Sequence, residues 1–215
     1  LGDDVFTNVT GSDDCKIGTV LAPDGDPGDS CTFTITRFIE GDAGGPDHVN
    51  TFSVTAVDND GTDDTDTDDA TVTFSDVLPE VSVDKSANPT SVPETGANVV
   101  FTFTVTNDGD EAGTITSLSD SDFGTLAGDD DCKVGTVLDP GESCSFTITE
   151  FIDGDFGTDH SNTVTVVLTD DDDNTDEGTD TETVELTDVL PEVLVTKSAN
   201  PSSVPETGAD VVFTF

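Results

Sequence analysis

The segment DVLPEVSVDKSANPTSVPETGANVVFTF at Asp76–Phe103 returns as DVLPEVLVTKSANPSSVPETGADVVFTF at Asp188–Phe215, an offset of 112 residues. CKIGTVLAPDGDPGDSCTFTIT at Cys15–Thr36 likewise matches CKVGTVLDPGESCSFTIT at Cys132–Thr149, with four extra residues in the earlier loop. A repeat this long constrains the fold before any other feature does, because like units must bury like cores. It divides the chain into the later part of one copy (1–77), a complete copy (78–189) and the opening of a further copy (190–215). The sequence has no Met, which leads us to expect a processed chain or an excerpt of a longer tandem array.

Within the complete copy the apolar residues alternate with period 2: Val81 and Val83; Val99, Phe101, Phe103 and Val105; Phe146 and Ile148; Val164, Val166 and Leu168; Val184 and Leu186. Ile115 and Leu118 add a further apolar stretch. Alternation with Val, Phe, Ile and Thr predicts half-buried strands. Turn chemistry at Asn88-Pro89, Pro93–Gly96, Asp108-Gly109, Pro140-Gly141 and Asp153-Gly154 separates them, and no stretch sustains a helical period. The expected fold is all-β: tandem immunoglobulin-like antiparallel β-sandwich repeats of about 112 residues, joined by D-V-L-P-E connectors. Pro79 and Pro191 stiffen those connectors, since proline fixes its own backbone and biases the residue before it toward an extended form.

Charge narrows the function classes. Against 48 Asp and Glu stand only Lys16, Arg37, Lys85, Lys133 and Lys197, a formal net charge of −43. Scattered cations on so acidic a chain do not make a phosphate-tracking surface, so nucleic acid is not an expected partner. Anionic lipid surfaces are disfavoured likewise. No apolar run approaches the roughly 18 residues of a spanning helix, so membrane insertion within this stretch is not expected.

The four cysteines fall two to a copy, Cys15 with Cys31 and Cys132 with Cys144. An intradomain disulfide in each is the natural pairing, and it implies an oxidising, extracellular setting. Zinc is the competing reading. It requires four closely spaced ligands, and each copy offers two Cys and one distant His.

The acids are concentrated. DNDGTDDTDTDD at Asp58–Asp69 and DDDDNTDEGTDT at Asp170–Thr181 occupy matching places between two strands. Acid recurs at Asp58 and Asp170, Asp60 and Asp172, Asp64 and Asp176, Asp68 and Asp180. Calcium takes six to eight oxygens, which short Asp side chains interleaved with Asn and Gly are suited to supply. Seven Asp between residues 58 and 69 repel one another, and screening over about 8 Å relieves this only in part. A solvated acidic face, or general salt adaptation, is the alternative. A second candidate set is the junction, where Asp76 and Glu80, then Asp188 and Glu192, flank V-L-P, with Glu94 or Glu206 following. If Asp108, Asp110, Asp120 or Asp122 converge on that end, calcium would lock neighbouring copies into a rigid rod.

No catalytic constellation is visible. His48 and His160 recur before a strand, yet nothing singles out a nucleophile partner. Phosphate-binding glycine loops, H-E-x-x-H and G-x-S-x-G are absent from the sequence. Without Trp or Tyr a sugar-stacking platform is disfavoured. Asn8-Val9-Thr10 is a formal glycosylation sequon.

The run V-x-V-x-K-S-A-N-P-x-S-V-P-E-T-G, followed by V-V-F-T-F-T-V-T-N-D-G and the later N-T-V-T-V strand, resembles the conserved repeat domain of prokaryotic surface proteins known as domain of unknown function eleven. The resemblance covers the complete copy and, through internal repetition, nearly all of the chain. It implies immunoglobulin-like sandwiches strung along secreted or surface-anchored proteins as stalks, adhesins or envelope fibres. The Cys pair and the D-x-D hairpin are additions to that generic pattern.

The expected function is therefore non-enzymatic: a structural repeat module of an extracellular, cell-surface filament, stalk or adhesin, rigidified by calcium and disulfides. Its partners would be adjacent repeats or copies of itself. Incomplete sheets at both ends imply that the polypeptide continues, or that Val193–Phe215 completes the partial copy of the next molecule head to tail. The alternative is a ligand-binding adhesin whose specificity sits in loops or in a tip domain outside this stretch.

Overall fold

The computed structural model describes residues 1–7, 9–12 and 14–215; Asn8 of the sequon lies outside the described residues. Among the described residues there is no helix, and so none long and apolar enough to cross a membrane. The strands of the 1–77 segment are β1 (Gly2–Asp3), β2 (Gly11–Ser12), β3 (Cys15–Lys16), β4 (His48–Val57) and β5 (Asp63–Val72). The 78–189 segment carries β6 (Val81–Asn88), β7 (Ser91–Pro93), β8 (Ala97–Asn107), β9 (Gly113–Asp120), β10 (Gly124–Thr125), β11 (Val137–Leu138), β12 (Ser143–Ile152), β13 (His160–Thr169) and β14 (Thr175–Thr187). The chain closes with β15 (Ser198–Asn200) and β16 (Val212–Thr214).

The middle segment is the expected β-sandwich. One sheet has the order β12-β8-β6, and the other β10-β9-β13-β14-β7, with β11 also pairing β9. All these pairings are antiparallel except β7 beside β14. The opening stretch thus serves both sheets: β6 pairs with β8 in one, and β7 crosses to β14 in the other. The period-2 residues meet between the sheets, where Val99, Phe101, Phe103, Val105, Val164, Val166, Leu168 and Val184 are fully buried. Phe103 and Phe146 stack at 4.8 Å. Each such side chain contributes about 2–3 kcal/mol by leaving water, which lets a core without Trp or Tyr suffice. The outer faces carry threonine, paired across strands as Thr163 with Thr181 at 2.7 Å and Thr116 with Thr169 at 2.8 Å.

Both expected disulfides are present, Cys15–Cys31 and Cys132–Cys144, and they indicate an oxidising, extracellular-type environment. Closing loops of 16 and 12 residues contributes about 3 kcal/mol each in the chain-entropy picture.

In the 1–77 segment, β1-β4-β5 form one sheet that corresponds to β9-β13-β14. Its inner face is open. Val54 is 39% exposed, whereas Val166 at the same repeat position is 0% exposed.

Candidate metal centre and lysine socket

The acidic hairpin tips are built alike. Asp58 Oδ1 accepts the N–H groups of Asp60 and Thr62 at 2.9 and 2.8 Å, and Asp170 Oδ1 accepts those of Asp172 and Asn174 at 3.0 and 2.8 Å. Each first Asp thereby closes its own turn, a local bond that short acids make readily. The left-handed position in the turn is Gly61 in one copy and Asp173, at φ 66°, in the other.

Among the described residues, only the second tip gathers acid from elsewhere in the chain. Asn174 Nδ2 donates to Asp170 Oδ2 at 3.1 Å and to Asp76 Oδ2 of the connector at 3.0 Å. Asp42, held in its loop by the Gly44 N–H on Oδ1 at 3.0 Å, approaches from the 1–77 segment. Carboxylate oxygens of Asp42, Asp171 and Asp172 lie within 4.8 Å of one another, close enough to share one ion. Desolvation, then the charges of Asp42, Asp76, Asp171 and Asp170, hold Asp172 above the usual carboxylate range. Glu111 is raised in the same way, by desolvation first and then by Asp171, Asp170, Asp172 and Asp42. This mutual repulsion is the condition a divalent cation relieves, and hard carboxylate oxygens are the donors that calcium prefers. The three carboxylates supply the donor type that calcium takes, and three of the six to eight oxygens that it needs.

The other candidate ligands lie apart from this cluster. Asp60 sits at the exposed tip of the β4–β5 turn. Asp64 and Asp68 point from one face of β5, and strand geometry spreads them about 13 Å along it. Their counterparts on β14 are engaged: Asp176 Oδ2 accepts the Val81 N–H at 2.8 Å, and Asp180 Oδ2 accepts the Lys85 N–H at 2.7 Å. These carboxylates satisfy the free backbone edge of β6 and so tie the two sheets together. Glu80 is exposed, and its carbonyl accepts the N–H groups of Asp108 and Gly109. Asp188 and Glu192 are exposed near the far connector. There Glu94 accepts the Val189 N–H at 3.0 Å and the Phe156 N–H at 3.2 Å, which together place its pKa below the usual value. Asp122 lies beside His160, 3.7 Å from its Nδ1, and does not reach the junction. The two histidines stack on phenylalanine, His160 on Phe123 at 5.8 Å and His48 on Phe6 at 5.9 Å.

Asp120 does not reach the junction either; it lies inside the sandwich as the partner of Lys85. Lys85 is 3% exposed and its Nζ donates to Asp120 Oδ2 at 2.6 Å and to the Asn162 carbonyl at 3.2 Å. The rings of Phe101, Phe103 and Phe123 surround the ammonium at 5.1, 5.5 and 5.4 Å. Asn162 Nδ2 and the Asp122 and Phe123 N–H groups complete the bonding of Asp120. Burial alone would raise the Asp120 carboxyl; the bonds from Lys85, Asp122, Asn162 and Phe123 outweigh it and hold the pKa below the usual value. The sequence carried a signal for this socket: in V-S-V-D-K-S-A the lysine takes an inward-facing position between Val83 and Ala87, and it recurs as Lys197. Asp42, Asp171 and Glu111 were not singled out either, because nothing in the linear pattern joins them.

No family model matches the chain, and no curated protein matches it.

Proposed function

We propose that this chain is a structural module of an extracellular, cell-surface filament, stalk or adhesin, in which calcium clamps successive sandwiches together. The observation that carries the reading is the meeting of Asp42, from the 1–77 segment, with Asp171 and Asp172 at the hairpin tip of the next copy. Asp76 of the connector joins the same cluster through Asn174. An ion held there would touch both copies and the peptide between them, converting a hinge into a fixed joint. Asp42, Asp171 and Asp172 are the carboxylates whose oxygens converge there. The disulfides and the resemblance to repeat domains of prokaryotic surface proteins agree with an exported fibre.

Thermal unfolding of the chain in calcium, and in chelator at high sodium chloride, tests this directly. Calcium raises the melting temperature beyond anything sodium achieves, since only specific binding to the native state adds stability by mass action. Asp172→Asn reverses sign between the two conditions: it stabilises the metal-free chain by removing repulsion and abolishes the calcium response. Equal effects of sodium and calcium, or an unchanged calcium response in Asp172→Asn, would refute the clamp.

A further inference from the structure

Lys85, Asp120 and Asn162 meet from three strands inside the sandwich. Lys85 lies on β6, in the sheet β12-β8-β6; Asp120 ends β9 and Asn162 lies on β13, neighbours in the opposite sheet. Their exposures are 3%, 5% and 1%, so each has left water almost completely. One carboxylate joins the other two groups: Lys85 Nζ donates to Asp120 Oδ2 and Asn162 Nδ2 donates to Asp120 Oδ1, both at 2.6 Å. A second link is direct, since Nζ also donates to the main-chain carbonyl of Asn162 at 3.2 Å. A primary amine and a carboxamide are thus held against one shared acid, behind the rings of Phe101, Phe103 and Phe123.

One atom of this group is left over. Asn162 Oδ1 is buried, and among the described residues nothing donates to it. A buried amide oxygen without a donor is costly, and an ion pair kept for stability alone leaves it unexplained. The atom gains a donor once Asp120 is protonated: a half-turn of the amide exchanges two groups of nearly equal size and presents Oδ1 to the acid. The proton required lies one hydrogen bond away, on Lys85 Nζ. Its transfer turns a buried ion pair into a neutral amine beside a neutral acid, the direction that an apolar enclosure favours. The same transfer frees the lone pair that makes a lysine a nucleophile.

We propose that Lys85 and Asn162 are the precursors of an intramolecular amide bond that joins the two sheets, with Asp120 as the proton carrier. Nζ attacks Cγ of Asn162 while the Asp120 acid donates to Oδ1 and polarises the carbonyl. Asp120 then gives its proton to Nδ2 and takes one from Nζ. The Cγ–Nδ2 bond breaks with its electron pair on nitrogen, and the ammonia released carries away the remaining proton as ammonium. An alkylammonium and a carboxamide become a secondary amide and an ammonium ion, Asp120 ends ionised as it began, and nothing is oxidised or reduced. Groups held in this way react as if at roughly 10⁵–10⁸ M, which stands in for an external catalyst. The ion-paired arrangement is the state that precedes the bond. The bond spans 77 residues of sequence and ties β6 to β13 across the core. The three residue types recur in the repeat as Lys197, Asp3 and Asn50, and Asn50 Nδ2 donates to Asp3 Oδ2 at 2.7 Å, so the pairing of amide with acid is not peculiar to one copy. No metal takes part, so the bond stands or falls independently of the calcium clamp.

Intact-mass spectrometry of the 215-residue chain, unfolded and with its disulfides reduced, reads the bond directly. The native chain weighs less than its sequence by one ammonia, whether it was prepared in calcium or in chelator. Digestion yields a branched peptide in which the segment carrying Lys85 is joined to the segment carrying Asn162. Lys85→Met, Asn162→Ala and Asp120→Ala each have the full mass of their sequence. The native chain is itself the decisive sample, so a variant that fails to fold does not shield the proposal. A native mass equal to that of the sequence overturns it. A shortfall of one water overturns it too, because the acylated partner would then be a carboxyl group. An ammonia shortfall that persists in Lys85→Met also does so, since it marks an asparagine cyclising on its own backbone. The branched peptide at native yield in Asp120→Ala overturns the role given to Asp120.

Discussion

A buried cation is the least expected residue of this chain, given five basic side chains among 215. Lys85 is retained in the core because Asp120, the Asn162 carbonyl and three aromatic faces replace its lost water. Such a pair is costly to break on one side only. Lys85→Met leaves the Asp120 carboxylate inside the sandwich without its counter-ion, and we expect a loss of about 3–5 kcal/mol in denaturant unfolding. The double change Lys85→Met with Asp120→Leu recovers much of that loss. If the pair specifies the register of β6 rather than its stability, the double variant is stable but loses the well-dispersed amide spectrum of a single native state.

At the level of elements, β6 is the strand both sheets compete for. It pairs with β8 on one side, and its free edge receives Asp176 and Asp180 from β14 across the gap between sheets. Those aspartates resemble calcium ligands in sequence, yet their oxygens are already committed to peptide N–H groups. Asp180→Ala strands the Lys85 N–H in a half-buried seam and costs about 1.5–3 kcal/mol, whereas Asp180→Asn keeps an oxygen acceptor and costs less. The calcium-dependent rise in melting temperature that the proposed clamp calls for is expected to be unchanged in both. A lost calcium response in Asp180→Asn would return this residue to the metal site.

For the whole molecule, acid titration separates the junction from the core. Glu111 and Asp172 have pKa values raised above their ordinary 4.5 and 3.8, so protonation favours the folded state. The metal-free chain therefore gains stability as pH falls through those raised values. Glu94 and Asp120 are lowered from 4.5 and 3.8, so their contribution is present above the ordinary values and is lost as pH falls through the folded ones. In chelator the melting temperature is expected to rise first and fall at lower pH; if calcium neutralises the junction as proposed, only the fall remains in its presence. A monotonic decline in chelator would show that the junction acids do not burden the fold.

Alternation in V-S-V-D-K-S-A or T-V-T-V-V-L is a property of neighbours, and it was enough to place the apolar strands and the core face. It read Asp58–Asp69 and Asp170–Thr181 as lying between strands, whereas Asp63–Asp69 and Thr175–Thr181 lie within β5 and β14, because strand pairing there is carried by polar residues with no apolar period. The period of 112 paired the cysteines correctly, because each copy holds only two. What each acid does was set elsewhere. Asp58 and Asp170 close turns, Asp176 and Asp180 reach a strand 95 residues away in sequence, Asp120 holds a lysine, and Asp42 meets Asp171 and Asp172 from the neighbouring copy. A carboxylate reads the same in any of these places. Its role depends on which donor or charge the fold brings within about 3 Å, and those partners are chosen by the pairing of distant strands rather than by adjacent residues.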